Sequence, residues 1–197
     1  MASPTSTKSQ KPGAKAQPKP MTRRRLENIA KYHVERFATT ATNLKRVLIR
    51  RAERAIRVHG GDRTEVAGWA EEAVAKLVKS GAVNDHRYAM DRAASLRRLG
   101  KGPEKIRSLL IAKGVDRALA KAALEATAEA DDGTDAALAA AIAYAKRRRL
   151  GPFGVQEADK DARRKKATKD LSALGRAGFS YAIAKLIAHA ASAEDLA

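Results

Sequence analysis

Cysteine is absent from this 197-residue sequence, so neither a disulfide framework nor a thiolate zinc site can form. That absence suits a reducing cytoplasm, where the chain is expected to work. Aromatic side chains make up 4% of the residues, with a single Trp, which argues against a single-strand binder that stacks bases on rings. Long apolar runs are missing too. The longest, Ala136–Ala145, is about half of what a bilayer-crossing helix needs. The first twenty residues hold no apolar core segment, so no secretory signal is expected. His33, His59, His86 and His189 are isolated, without a helical His pair or a His-Glu-x-x-His motif, and no Gly-x-Ser-x-Gly setting occurs. The expectation is a soluble, monomeric protein that is not an enzyme, with no catalytic residue, metal ion or cofactor and no membrane partner.

Acid is in short supply as well. Forty Lys and Arg face 22 Asp and Glu, for a formal charge of +18. Residues 1–20 carry four Lys and no acid, and residues 21–59 carry eleven basic and three acidic groups. The positive field is therefore concentrated in the N-terminal third, where it would attract phosphate or acidic protein surfaces. Nucleic acid or a nucleoprotein ranks first among such partners, because the basic groups lie on helices as well as in a tail.

What is present is helix after helix. The apolar 44% of the chain is carried by Ala, Leu, Ile and Val, which predicts cores of small side chains. Residues 1–21 are rich in Lys, Pro and Ser without apolar periodicity and are expected to form a disordered basic tail. Beyond it, Leu26, Ile29, Ala30, His33, Val34 and Phe37 recur at three- and four-residue steps. Leu44, Val47, Leu48, Arg51, Ala52, Ala55 and Ile56 form a second stripe, and Val66, Trp69, Ala70, Ala73, Val74, Leu77 and Val78 a third. Thr39–Asn43, His59–Asp62 and Ser80–Gly81 are the expected breaks and caps. A fourth helix runs from Asn84 or Asp85 to about Leu99. Pro103 suits the first position of a fifth, and Asp116 caps a sixth. Helices are also predicted over Thr134–Arg148, from about Gln156 to Arg176, and over Ser180–Ala190. No run alternates with period two over a strand's length, so the class is all-α.

An internal repeat organises these helices. Lys113-Gly114-Val115-Asp116-Arg117-Ala118-Leu119-Ala120-Lys121 aligns with Ala177-Gly178-Phe179-Ser180-Tyr181-Ala182-Ile183-Ala184-Lys185. A fainter echo is read at Ala75-Lys76-Leu77-Val78. Glycine stops one helix and the capping Asp or Ser starts the next. Three-helix units are expected over residues 22–81, 82–130 and 131–197, stacked because each alone buries little.

The segments Gly81–Ala89, Arg97–Ile106 and Leu110–Val115 resemble the central signature of the RecX family, with its Arg-aromatic-Ala and Gly-x-Gly-Pro runs. Thr40–Leu48 is similar to the family's Ser-x-x-Glu-Leu-x-x-x-Leu helix start, and Leu174–Tyr181 to its closing Leu-x-x-Arg-Gly-Phe-Ser segment. Together they span about residues 25–190. Asn43 and Asn84 stand where the pattern usually has acids, and the N-terminus is longer and more basic. The resemblance implies three tandem three-helix repeats in an elongated, curved molecule. It also implies a regulator lodged in the groove of a RecA filament, which restrains filament growth and the ATP hydrolysis and strand exchange that depend on it.

Two basic clusters are the candidate partner- or DNA-binding residues. Arg46, Arg50, Arg54 and Arg57 fall on one predicted helix face with only Glu53 nearby, so the row would repel itself unless a partner neutralised it. Arg97, Arg98, Lys101 and Lys105 surround the Gly-Lys-Gly-Pro break, where exposed helix ends suit phosphate or carboxylate. A P-loop is excluded, because Lys101 is followed by Gly. Lys146–Arg149 forms a third cluster, evenly balanced between binding and solvation. Arg163–Lys166, interleaved with Asp159, Asp161 and Asp170, reads as a solvated face. Trp69, Tyr88, Phe179 and Tyr181 are expected in the core. Asp131–Asp135 lacks the closing Glu of a calcium loop and is expected to be a capping turn. The alternative function is a helix-turn-helix-like basic protein acting nonspecifically on DNA. Its candidate recognition helices, however, are Ala-rich and poor in side chains that read base edges.

Overall fold

The computed structural model describes residues 18–129 and 136–196. Most of the expected basic tail and the expected turn at Asp131–Asp135 lie outside the described residues. Among those described there are nine α-helices and no strand. They are α1 (Arg23–Arg36), α2 (Ala41–His59), α3 (Arg63–Lys79), α4 (Asp85–Arg98), α5 (Pro103–Ala112), α6 (Arg117–Glu129), α7 (Ala136–Arg148), α8 (Lys160–Ala177) and α9 (Tyr181–His189). Short 3-10 turns occupy Gly151–Phe153 and Glu194–Leu196.

Each start has a local cause. The side chains of Thr22, Thr40, Asp62, Asn84, Asp159 and Ser180 accept from amides of the first turns they precede. Asp116 does the same for Ala118 at 2.8 Å, and these contacts occupy donors that a helix cannot satisfy internally. The amides of Ala118 and Leu119, both donating to it, hold the Asp116 carboxyl below its ordinary pKa. Helix α8 starts at Lys160 rather than near Gln156, because Asp159 is the residue whose carboxylate reaches an amide, that of Ala162 at 2.8 Å.

The stops explain the sequence repeat. Gly114 and Gly178 take left-handed backbone at φ 86° and 93°. In each turn the next residue's amide reaches back to the helix, Val115 to Leu110 at 3.1 Å and Phe179 to Leu174 at 3.2 Å. Val115 and Phe179 are buried beside those leucines. Glycine, apolar lock and cap therefore follow in consecutive positions. The corresponding turn of the first triplet is Gly60-Gly61-Asp62, which lacks the apolar lock. The echo read at Ala75–Val78 lies near the end of α3 and is not equivalent.

Three apolar cores form in series. One holds Leu26, Leu44, Leu48, Val66 and Val74 from α1–α3, the next Leu96, Ile106 and Leu110 from α4–α6, and the last Leu174, Phe179 and Ile187 from α7–α9. Burying a Leu fully is worth about 1.5–3 kcal/mol, against about 0.8 kcal/mol per carbon of this kind. Cores that rely on Ala30, Ala52, Ala70, Ala89, Ala93, Ala141 and Ala145 are correspondingly modest. Three residues expected on apolar faces are outside: Phe37 is 56%, Val78 47% and Tyr181 67% exposed. All three sit where a helix ends or begins, so no neighbouring turn covers them.

The junctions between units share one plan. The amides of Gly102 and Glu104, at the start of α5, donate to the carbonyls of Ala177 and Gly178, at the end of α8, at 2.9 and 3.2 Å. At the start of α2, Thr40 Oγ1 donates to the Lys113 carbonyl, at the end of α5, at 2.5 Å. There the Ala41 amide also donates to Asp85 at 2.9 Å. The middle helices thus meet end to end, in the order α8, α5, α2.

Candidate partner-binding surface

Helix α2 buries Leu44, Leu48, Ala52 and Ala55. At about 100° per residue, Arg46, Arg50 and Arg57 project from the opposite side. Arg54 is turned about 60° from the centre of those three, so the row is broader than the spacing implied. All four are exposed. Arg50, Arg54 and Arg57 have no hydrogen bond or ion pair with any described residue, whereas Lys45 on the flank of the same helix is paired with Glu71 at 2.6 Å. Two cations of α1 and α3 are matched as well: Arg23 with Glu72, and Lys76 with Glu27 at 2.6 Å. Lys76 holds the Glu27 carboxyl below its usual pKa. Arg50, Arg54 and Arg57 thus form a row of uncompensated charge on the outward face of α2.

Arg46 has an additional duty. Its Nη1 donates to the Ala112 carbonyl at 2.9 Å, so it clasps the first unit to the second. At the other end of the row, His59 Nε2 lies 2.5 Å from the Pro18 carbonyl, which places the chain's entry beside Arg57.

The second cluster occupies a different junction. Gly100 takes left-handed backbone and closes α4, with the Lys101 amide donating to Leu96 at 3.1 Å. Gly102 is buried because its α-carbon faces Gly178: a Cβ there would lie 2.3 Å from the Gly178 carbonyl carbon. The Gly-Lys-Gly-Pro run is thus an interlock between units. Lys101 is half-buried and Lys105 packs its backbone under Gly178, while Arg98 is exposed and Arg97 half-exposed. Lys105 stands in the first turn of α5 and Arg46 reaches Ala112 at its end, about 10 Å apart by helical rise. The structure therefore does not merge the two clusters.

It does bring in a third. Arg147 of α7 donates from Nη2 to the Leu99 carbonyl at 3.3 Å, placing part of the Lys146–Arg149 group beside Arg98. Spacing within the sequence could not reveal this, since 48 residues separate the two. The Arg163–Lys166 group divides. Lys166 is half-buried, donating to Asp170 at 2.8 Å and to the Gly151 carbonyl at 2.9 Å. Asp170, 6% exposed, also accepts from the Gly151 amide at 2.8 Å. This is an interior clamp rather than a solvated face.

Helix α6, a candidate for base readout, exposes Arg117, Ala118, Lys121, Ala122 and Glu125, with Lys121 and Glu125 paired at 3.6 Å. That face carries no Asn or Gln. Among the described residues no helix is long and apolar enough to cross a membrane.

Tandem three-helix units with a cationic outer face define a basic helical-repeat protein. A sequence model described as the second three-helix domain of RecX matches residues 84–124. Regulatory protein RecX of Myxococcus xanthus (strain DK1622) is 43% identical over 163 residues, covering 82% of this chain and 83% of that protein. Regulatory protein RecX of Agrobacterium fabrum (strain C58 / ATCC 33970) is 32% identical over 171 residues, covering 86% and 85%. The crystal structure of RecX from Lactobacillus salivarius superposes with a TM-score of 0.59 over 84% of this chain and 93% of that one. At 21% identity, that likeness is one of fold. The chain belongs to the RecX family of regulatory proteins.

Proposed function

We propose that the protein binds a RecA filament assembled on DNA and restrains its growth, together with the ATP hydrolysis and strand exchange that depend on it. Recombination and DNA repair would be modulated in this way. The observation that carries the reading is the outward face of α2, where Arg50, Arg54 and Arg57 have no partner among the described residues. A row of like charges with nothing to neutralise it fits a surface built for an anionic partner. Family membership supplies the class of partner. The protein acts as a monomer, and weaker, salt-sensitive contact with single- or double-stranded DNA accompanies the main interaction. Arg97, Arg98, Lys101 and Lys105 contribute from the second junction.

The test is ATP hydrolysis by RecA on single-stranded DNA, with this protein substoichiometric and the DNA in excess. A marked fall in rate is expected, because sequestering DNA could not produce it. A rate that holds until the protein rivals the DNA in amount would make the chain a plain basic DNA binder.

A further inference from the structure

Two stretches without a single carboxylate meet at the junction of the second and third units. Residues 92–103 contain Arg92, Arg97, Arg98 and Lys101, and residues 136–156 contain Lys146–Arg149; neither has an Asp or Glu. The bond from Arg147 to the Leu99 carbonyl joins them. Just beyond, the Glu104 carboxylate is occupied by Arg107 at 2.8 Å. Leu99 stands amid these cations, 59% exposed. The left-handed turn at Gly100 fixes its backbone from one side, and the Arg147 guanidinium packs against that glycine from the other.

A cationic patch alone suits phosphate and carboxylate equally. The exposed leucine breaks the tie. Against a sugar-phosphate backbone its side chain has no apolar counterpart, whereas a protein surface can offer a pocket and ring it with carboxylates. A turn held at both ends also presents the leucine without an ordering cost on binding. We propose that this Leu99-centred surface docks an acidic patch of a protein partner, with Leu99 entering an apolar pocket and Arg98, Arg147 and Arg148 meeting the surrounding carboxylates. This rests on the reading above that the partner is a protein filament, and it assigns a protein contact to the second junction.

The experiment compares two probes with the full chain. One is a labelled single-stranded oligonucleotide; the other is a RecA filament assembled on that oligonucleotide with a non-hydrolysable ATP analogue. Leu99→Ala is expected to weaken filament binding about tenfold and to leave the bare oligonucleotide within about twofold. Leu99→Met, which keeps the apolar bulk, retains wild-type affinity for both. An unchanged filament affinity in Leu99→Ala overturns the proposal while the filament reading stands. An equal loss on both probes makes the surface a nucleic-acid contact and also overturns it. A wild-type chain with no preference for the filament over the bare oligonucleotide sinks both readings together.

Discussion

Gly102 and Gly175 are chemically identical and physically opposite. The backbone of Gly102 has φ −71°, which any residue adopts, yet a Cβ there would lie 2.3–2.6 Å from backbone atoms of Gly178 and Phe179. Gly175 lies within α8 with nothing within 4 Å of a Cβ. Gly102→Ala should therefore cost about 1–3 kcal/mol through overpacking, and Gly175→Ala should gain about 0.5–1 kcal/mol of helix propensity. Denaturant melts of the two variants would check both signs. His33 supplies a pH dependence. Burial, and then the Arg51 charge, holds its imidazole below the ordinary value. Below about pH 6.5 the unfolded chain binds more protons than the folded one, so acid favours unfolding at this site. His33→Gln should remove that share of the stability lost between about pH 6.5 and 5, as read from melts at both pH values. Neither feature was legible from sequence. Gly102 read as part of a helix break and Gly175 as lying within a predicted helix, with no sign of what either faces, and His33 read as one position on an apolar stripe.

At the level of helices the sequence was largely transparent, because starts and stops are decided within a few residues. Thr40, Asp62, Asn84, Asp116 and Ser180 were readable as caps for that reason, and so was the class of the fold. The candidate surface was readable only in part. The Arg46–Arg57 row follows from helical spacing alone, but the clasp from Arg46 to Ala112 depends on a neighbour 66 residues away. So does the burial of Asp170, whose partner Gly151 lies 19 residues upstream. The clasp changes which charge reversal is informative, since replacing Arg46 would disturb a junction as well as a face. Arg50→Glu with Arg57→Glu is the cleaner pair. Both are exposed and unpaired among the described residues, so stability should move by less than about 0.5 kcal/mol. Affinity for the RecA filament should fall at least tenfold in a direct binding titration, and unchanged affinity would remove the α2 row from the proposed function.

Across the whole molecule, three small cores linked by narrow junctions should not melt as one block. The sequence contains one Trp, and Trp69 is half-buried against the α1–α3 core. Its fluorescence therefore follows the first unit, while circular dichroism follows all helices. In Gly102→Ala the dichroism midpoint should fall while the Trp69 midpoint moves less, because the altered contact joins the second and third units. Coincident shifts would mean that the three cores are coupled more tightly than their junctions suggest. We propose the divisions near Gly81 and residue 130 on the same grounds.

The end-to-end meeting of α8, α5 and α2 also has an electrical consequence. Each helix carries a macrodipole of roughly half a charge at either end. At both junctions the carbonyl end of one helix meets donors at the amide end of the next, so opposite partial charges are brought together inside the array. What remains unmatched lies at its two extremities. Asp159 and Asp161 stand at the amide end of α8, and Arg57 and His59 at the carbonyl end of α2. The molecule thus behaves as a segmented dipole whose negative pole lies under the C-terminal end of the arginine row, easing the self-repulsion of its last members within the final helical turn.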